Sequence, residues 1–276
     1  MKYRLATDNI AVFHDLIPNI EWNTYRQFKY ALISADAYQS ISSYFWQDCF
    51  NHQISVGFAP AHAFKALFFD LDGTILRSES LVEIARTVNM DAEIEAMTTA
   101  AMHGQAEFST NFKQRLQLLR DVRAQHMQNL ALPFYEGIEE TLAQSKQHGM
   151  DIFLISSAIY PIVKRVGEML GFDDYQGNRI KYLNGKLMLD EKSAIIDSEG
   201  KRRWVEEKCA NLRISQKQVA VIGDGANDMR MMDFAQLAVG FQPKRVLLNC
   251  VNALNFSGDH RFIMPLIMDD LKFKAR

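Results

Sequence analysis

The sequence predicts an α/β fold with a parallel sheet, because it contains apolar runs that show no alternation with polar residues. Two such runs are Ala66–Phe69 and Val219–Ile222. Uninterrupted apolar runs of this length are typical of strands buried on both faces. Each run ends abruptly in a glycine turn that carries carboxylates. The carboxyl ends of parallel strands share one edge of a sheet, where α/β folds bind their ligands, so we expect the two acidic turns to meet there.

The first acidic turn is Asp70-Leu71-Asp72-Gly73-Thr74. Burying two acids so close together is costly unless a metal or a reaction requires them. An isolated Asp-x-Asp-Gly string is also compatible with a surface turn or with the start of a calcium-binding EF-hand loop. The EF-hand loop has Gly at its sixth position and Glu at its twelfth, whereas here Gly73 is fourth and Leu81 is twelfth. We therefore interpret Asp70 and Asp72 as part of a functional site.

The second acidic turn spans residues 223–228 and contains Asp224, Asn227 and Asp228. Oxygen ligands of this kind suit Mg²⁺, which binds one or two carboxylates together with water and substrate phosphate. No His or Cys lies close enough in the sequence to indicate zinc. The two turns together therefore predict a Mg²⁺ site beside an anionic substrate.

A third strand, Asp151–Ile155, is followed by Ser156 and Ser157. We expect a helix next, with Pro161 in its first turn and Gly171 just beyond its end. Hydroxyl groups and free amides at the start of a helix can bind an anion. A serine pair at this position is more often a simple helix cap, so its interpretation as an anion site depends on the neighbouring acids.

Lys201 opens the helix that precedes the strand Val219–Ile222. In a right-handed β-α-β unit, a helix begins over the same sheet edge at which the following strand ends. We therefore expect Lys201 and Asp224 to be neighbours. The alternative is that the basic residues here form a solvated helix face.

These four motifs, in this order from about Phe64 to the C-terminus, resemble those of the haloacid dehalogenase superfamily of aspartyl-phosphate phosphotransferases, and within it the phosphoserine phosphatases. The resemblance implies a Rossmann-like parallel sheet with helices on both faces and Mg²⁺ as the cofactor. It makes Asp70 the nucleophile and Asp72 the general acid and base. The remaining roles that it implies are phosphate or substrate binding by Lys201, Ser156, Ser157 and Asn227, metal binding by Asp70, Asp224 and the Asp72 carbonyl, and support by Asp228 and Gly225.

Residues 79–132 read as nearly continuous helix, with Leu81, Ile84, Ala85 and Val88 at helical spacing. A helical insertion directly after the first motif fits a small cap over the site.

The amino-acid sequence of this insertion resembles that of the cap of phosphoserine phosphatases. The resemblance implies that Glu79 binds a substrate ammonium and Arg115 a carboxylate, while Met102 and Phe108 wall the pocket. Taken singly, Phe108 and Met102 are also compatible with the core of a helical bundle, and Arg115 with a surface position.

Three positions depart from the family pattern, and they bear on substrate choice. Ser157-Ala158 stands where two glycines are usual, Val82 replaces a common Asp, and Gln236 replaces a common Gly. Side chains at positions 157 and 158 would narrow or reshape the pocket, although none of the three changes removes a catalytic group.

The predicted function is Mg²⁺-dependent hydrolysis of a phosphomonoester, with O-phospho-L-serine as the preferred substrate and serine biosynthesis as the setting. The alternatives are another small ester, such as phosphoethanolamine, phosphocholine or phosphohomoserine, and a non-enzymatic sensor of phosphorylated metabolites. A sensor would have no need of a nucleophile, which argues against the last.

The predicted organisation has three parts. Residues 1–63 form an aromatic-rich accessory segment, α+β in character, that packs alone or against the core. Residues 64–78 and 133–276 form the catalytic core, and residues 79–132 form the cap. Asn184-Gly185 between two short alternating runs predicts a type I′ hairpin, expected as a flap beside the core.

Bulk properties agree with a cytoplasmic enzyme that acts on a small molecule. A net charge of −2 over 276 residues, without a basic stripe, argues against nucleic acid or membrane as the main partner. Three isolated cysteines fit a reducing compartment, and neither a signal core nor a long apolar span is visible. The oligomeric state cannot be read from these features.

Overall fold

The computed structural model describes residues 1–102, 108–190 and 192–268, with side chains described except at residues 100–102. The strands in these ranges are β1 (Lys2–Thr7), β2 (Asn23–Tyr25), β3 (Phe28–Ser34), β4 (Val56–Pro60), β5 (Ala66–Phe69), β6 (Asp151–Ile159), β7 (Asp174–Asn178), β8 (Ile180–Leu183), β9 (Lys186–Leu189), β10 (Val219–Gly223), β11 (Leu237–Phe241) and β12 (Ala253–Asn255). The α-helices are α1 (Ala35–Gln39), α2 (Ser43–Asn51), α3 (Ser80–Arg86), α4 (Asp91–Met102), α5 (Phe108–Leu118), α6 (Ala124–Gln128), α7 (Ile138–Gln147), α8 (Tyr160–Leu170), α9 (Ser198–Leu212), α10 (Met229–Phe234) and α11 (Met264–Ile267).

A ten-stranded sheet in the order β2-β3-β1-β4-β12-β11-β10-β5-β6-β7 organises the chain. The six strands from β12 to β7 are parallel, and the N-terminal strands pair antiparallel. The two acidic turns follow β5 and β10, which are direct neighbours in the sheet. The predicted α/β fold class, with its parallel sheet and covering helices, is confirmed.

Strand β5 is buried on both faces, as its apolar run predicts. Its four residues alternate between two separate hydrophobic clusters. Phe68 packs edge-on against Trp204 of α9, with ring centroids 6.0 Å apart, and Phe69 packs against Phe172 on the opposite face at 5.9 Å. Such two-sided burial fixes the end of β5, where Asp70 begins the site.

Residues 1–63 extend the same sheet instead of forming a separate sheet. Strand β4 pairs antiparallel with β12 of the core, and β1 pairs with both β4 and β3. Phe58 on β4 is 1% exposed and packs against the rings of Phe13, Tyr38 and Trp46. This aromatic cluster explains the high aromatic content of the segment.

Helices α3 to α6 lie between β5 and β6 in the chain and form the insertion expected as a cap. The hairpin of β8 and β9 forms as predicted, with Asn184 and Gly185 both at positive φ, as a type I′ turn requires. Its position differs from the expected flap beside the core, because the buried Leu187 donates its amide to the Arg120 carbonyl at 2.7 Å, just beyond α5. The hairpin therefore supports the cap.

Strand β6 is longer than predicted, because it continues through both serines to Ile159. Its pairing with β7 shifts register between Ile155 and Ile159, and this irregularity carries Ser156 and Ser157. Helix α8 follows with Pro161 in its first turn and Gly171 in the left-handed conformation at its end, both as predicted. Among the described helices, none has the length and hydrophobicity needed to cross a membrane.

We predict that Phe58→Ala destabilises the whole protein by about 3–5 kcal/mol, because it removes a ring from a filled cluster within the shared sheet. The measurement is urea unfolding followed by circular dichroism. Tyr44→Ala on α2 is the control, since Tyr44 is 77% exposed and its loss should change stability by less than about 0.5 kcal/mol. A first transition that affects only residues 1–63, with the core transition unmoved, would contradict a cooperative sheet.

Candidate active site

A cavity of about 90 Å³ lies at the carboxyl edge of the parallel strands, between the core and the helices of the cap. Its walls combine acidic and basic side chains from the core with residues of the cap. The lining residues are Asp70, Asp72, Glu79, Leu81, Thr98, Phe108, Arg115, Ser156, Ser157, Ala158, Asp224, Gly225, Ala226, Asn227 and Lys244.

A buried ammonium joins the two acidic turns. Lys201 Nζ lies 2.6 Å from Asp70 Oδ1 and 2.7 Å from Asp228 Oδ1, and all three side chains are at most 2% exposed. Burial alone would lower the pKa of Lys201, but the carboxylates of Asp228 and Asp70 raise it above its usual value. Lys201 therefore stays protonated in the absence of bulk water.

Lys201 and Asp224, which we expected to be neighbours, do not form an ion pair with each other. The ammonium lies in the same cluster but contacts Asp70 and Asp228, while Asp224 Oδ2 pairs with Lys244 Nζ at 2.7 Å. The reason is the position of Lys201 in the first turn of α9, where its amide donates to the Asp197 carbonyl at 2.8 Å. From there its side chain reaches the base of the cavity.

Asp228 stabilises the second acidic turn through hydrogen bonds to its backbone. Its Oδ2 accepts hydrogen bonds from the backbone amides of Asp224, at 3.1 Å, and Gly225, at 3.3 Å, while its Oδ1 contacts Lys201. Both oxygens of Asp228 are thus engaged with the protein. This arrangement leaves Asp70 and Asp224 better suited to face a ligand.

Asp72 is hydrogen-bonded to the start of the cap. Ser80 donates to it twice, from its amide at 3.1 Å and from its hydroxyl at 2.8 Å. Burial, followed by the charge of Asp70, raises the pKa of Asp72 to about 7. Gly73 makes the turn possible at φ +72°, and a Cβ there would lie 2.5 Å from Asp224 Oδ2.

Three buried carboxylates form a cluster that fits a divalent cation. One oxygen from each of Asp70, Asp224 and Asp228 lies within 4.8 Å of the others. Burial raises the pKa of Asp70 and of Asp224, and neighbouring carboxylates raise both further. A cation would remove this penalty, and an all-oxygen donor set matches Mg²⁺ chemistry.

The serine pair faces the cavity from β6. Ser156 Oγ accepts a hydrogen bond from the Ala158 amide at 3.1 Å, which orients the hydroxyl. Ser157 is 8% exposed, and its hydroxyl has no hydrogen-bond partner among the described residues. A ligand in the cavity can supply that partner.

The cap contributes an opposite pair of charges to the same cavity. Arg115 is buried, donates from Nη1 to Thr98 Oγ1 at 3.0 Å, and leaves Nε without a partner among the described residues. Burial, followed by the charge of Asp72, raises the pKa of Glu79 to about 8. Phe108 stacks on Phe112 with 5.7 Å between ring centroids. A substrate ammonium beside Glu79 would favour its ionised form, so Glu79 and Arg115 together can bind a zwitterionic ligand.

The other sequence-predicted positions are distributed as follows. Asn227 and Gly225 line the cavity, and Val82 is buried in the hydrophobic core beneath the cap. The side chain of Met102 lies outside the described residues. Every other residue predicted for the site either lines the cavity or, for Lys201 and Asp228, contacts a lining residue.

Sequence reasoning missed Lys244, which lines the cavity beside Asp224. The sequence shows only that Lys244 follows the apolar run Leu237–Phe241 by three residues, whereas the place of β11 beside β10 is a finding of the structure. The rule that brings the acidic turns together also brings this loop to the same sheet edge.

A second missed residue, His260, supports the first acidic turn from beneath. Its ring is fully buried, stacks on Phe241 with 4.1 Å between centroids, and donates from Nε2 to the Thr74 carbonyl at 3.0 Å. A carbonyl only accepts, so Nε2 carries the proton. Burial lowers the pKa of His260 to about 4, while its contacts with Thr74 and Asp259 oppose that shift.

We predict that His260 makes the protein sensitive to acid. The folded-state pKa lies below the unfolded value, so the stabilisation is present above pH 6.5 and is lost as pH falls towards 4, by up to about 3 kcal/mol. His260→Gln keeps a donor for Thr74 but does not titrate. The measurement is urea unfolding of both proteins at pH 7 and pH 4.5. Equal losses of stability would show that His260 is not the acid-sensitive group.

A model of the haloacid dehalogenase-like hydrolases matches residues 64–235. The phosphoserine phosphatase of Albidiferax ferrireducens is 35% identical over 213 residues, covering 73% of this chain and 90% of that protein. The phosphoserine phosphatase of Methanocaldococcus jannaschii is 29% identical over 185 residues, covering 66% of this chain and 88% of that protein.

Two solved structures are similar in fold. A haloacid dehalogenase family hydrolase from Salmonella enterica serovar Typhi superposes over 98% of this chain and 99% of its own, with a TM-score of 0.85 at 19% identity. A substrate-bound phosphoserine phosphatase superposes over 75% of this chain and 100% of its own, with a TM-score of 0.69 at 26% identity. With the acidic turns, the buried lysine and the inserted cap in place, this chain belongs to the haloacid dehalogenase-like hydrolases.

Proposed function

We propose that this chain is a Mg²⁺-dependent phosphatase whose preferred substrate is O-phospho-L-serine. The observation that carries the proposal is that one cavity is lined both by acids of the core and by charged residues of the cap. Asp70 and Asp224 line it beside the buried ammonium of Lys201, and Glu79 and Arg115 line it from the cap. We assign the phosphate to the first group and the amino-acid part of the substrate to the second.

Asp70 is the proposed nucleophile. It is 2% exposed and lies at the end of β5, where the buried strand fixes its position. Its carboxylate attacks phosphorus, and the bond from phosphorus to the serine oxygen breaks, so that an acyl phosphate forms on Asp70. Lys201, 2.6 Å from Asp70, offsets the repulsion between the anionic nucleophile and the phosphate.

Asp72 is the proposed general acid and base. Its raised pKa, about 7, allows it to be protonated before the reaction and ionised after it. It donates its proton to the departing serine alkoxide, then removes a proton from the water that hydrolyses the aspartyl phosphate. The two bonds from Ser80 keep the carboxyl group aimed into the cavity during both steps.

Asp70, Asp224 and the backbone carbonyl of Asp72 are the proposed ligands of Mg²⁺, and Asp228 braces them. When bound, Mg²⁺ supplies positive charge to the phosphoryl oxygens. The proposed hydrogen-bonding partners of the phosphate are Ser156, Ser157 and Asn227, since all three line the cavity. These assignments agree with the donor chemistry of each group.

We propose that Arg115 and Glu79 bind the carboxylate and the ammonium of the substrate, respectively. Among the described residues, Arg115 Nε has no hydrogen-bond partner, and a carboxylate can bind a guanidinium through two parallel bonds. Glu79 then holds the substrate ammonium. The relatives named as phosphoserine phosphatases support this substrate. A substrate without a carboxylate leaves the buried Arg115 without that partner, which disfavours phosphoethanolamine and phosphocholine.

We predict that Asp70→Asn abolishes phosphate release from O-phospho-L-serine, by more than about a thousandfold, because an amide is not a competent nucleophile. Phosphate release is measured with Mg²⁺ and, for the wild type, also with EDTA, which should remove activity until Mg²⁺ is restored. Asp121→Asn, at an exposed cap position, is the control and should keep full activity. An Asp70→Asn protein that retains a tenth of the wild-type rate would rule out the mechanism.

We predict that Arg115→Ala lowers kcat/KM for O-phospho-L-serine about a hundredfold but changes kcat/KM for phosphoethanolamine less than threefold, because only the first substrate presents a carboxylate. Initial rates with both esters provide the test. Arg120→Ala is the matched control, since Arg120 is 60% exposed and lies just beyond the same helix. If the wild type hydrolyses both esters equally well, Arg115 does not read a carboxylate.

A further inference from the structure

Lys244 occupies a place in the cavity that the proposed reaction does not yet use. Its Nζ lies 2.7 Å from Asp224 Oδ2, and its backbone amide donates to the Asp224 carbonyl at 2.9 Å. The loop after β11 is therefore tied to Asp224 at two points. Asp224 is one of the proposed metal ligands, so Lys244 contacts the metal site directly.

The two ammonium groups near the acids differ in burial. Lys201 is 0% exposed and contacts two carboxylates, whereas the Lys244 side chain is 37% exposed and lines the cavity. A lysine side chain has a flexible four-carbon stem and a compact charge, so a partly exposed ammonium can exchange partners without moving the backbone. Lys244 meets that condition, whereas Lys201 is enclosed on all sides.

Gly225 leaves room for this side chain beside the second acidic turn. A Cβ at Gly225 would lie 3.3 Å from Lys244 Nζ and 3.5 Å from its Cδ. The lysine therefore lies across the bare backbone next to Asp224. This path places the ammonium at the wall of the cavity beside Asp224, where the proposed phosphate binds.

A divalent cation at Asp224 changes the balance of charge around Lys244. The cation and the ammonium would compete for one carboxylate, and they repel each other at short distance. Once Asp224 is neutralised by the cation, an anion in the cavity becomes a favourable partner for Lys244, in addition to the nearby carboxyl group of Glu79. A phosphate bound next to the cation provides that anion.

Building on the proposed function, we propose that Lys244 is an exchangeable counter-ion that holds Asp224 in the metal-free protein and binds a phosphoryl oxygen of the substrate after the metal has bound. Lys244 thus opposes metal binding when the cavity lacks phosphate and favours it when phosphate is present. Because linkage is reciprocal, metal and phosphate strengthen each other's binding through this residue.

The experiment measures Mg²⁺ binding by isothermal titration calorimetry, with and without inorganic phosphate as the probe. For Lys244→Met without phosphate, we expect Mg²⁺ to bind about tenfold more tightly than to the wild type, because the competing ammonium is gone. In the wild type, saturating phosphate should tighten Mg²⁺ binding about tenfold or more, and Lys244→Met should lose most of that gain. Lys244→Arg, which keeps the charge, should behave more like the wild type in both measurements.

Thermal unfolding in EDTA shows whether each variant is folded, and Lys244→Gln replaces Lys244→Met if the latter is not. Equal or weaker Mg²⁺ binding by the neutral variant would overturn the competition between Lys244 and the metal. An unchanged effect of phosphate would overturn its contact with the phosphoryl group. Failure of the proposed function is distinguishable, because a wild type that binds neither Mg²⁺ nor phosphate fails before any variant is compared.

Discussion

The site depends on one constraint, which is that several carboxyl groups are buried close together around the cavity. Five carboxyl groups surround the cavity, and three cationic groups lie among them, so the described residues leave an excess of two negative charges when all are ionised. The carboxyl groups are Asp70, Asp72, Glu79, Asp224 and Asp228, and the cations are Arg115, Lys201 and Lys244. One divalent cation balances that excess. The raised pKa values of four of these acids express the same imbalance.

The fold keeps these charged groups close together because separating the turns that carry them would disrupt hydrophobic packing. Strands β5 and β10 are buried on both faces, so the turns that follow them cannot drift apart without disturbing two hydrophobic clusters. Gly73 at positive φ permits the close approach of the first turn to Asp224, and His260 holds the Thr74 carbonyl at the far end of that turn. Repulsion among the carboxylates is thus opposed by packing that lies outside the site. The cost in stability is offset where a cation binds.

Site residues that follow a recognisable local pattern were predicted from the sequence. Features that depend on which strands pair in the sheet were missed. Apolar runs and glycine turns located Asp70 and Asp224, because a doubly buried strand has a recognisable composition. Lys244 follows a strand whose place beside β10 is decided by packing, and no local motif marks it. The three-residue strand β12, through which the N-terminal segment joins the sheet, is too short to give a pattern. The extension of β6 arises from a register shift that only its pairing with β7 defines.

Pairing with the sheet also connects the N-terminal segment to the site. Gln27, in the turn between β2 and β3, donates to Asp259, and Arg261 contacts the same carboxylate. His260 lies between Asp259 and Arg261 in the sequence, and its ring donates the hydrogen bond to the Thr74 carbonyl. The segment therefore holds in place the loop that supports the first acidic turn. Since the position of Asp70 depends on that turn, residues 1–63 contribute to the geometry of the candidate site although none of their side chains lines the cavity.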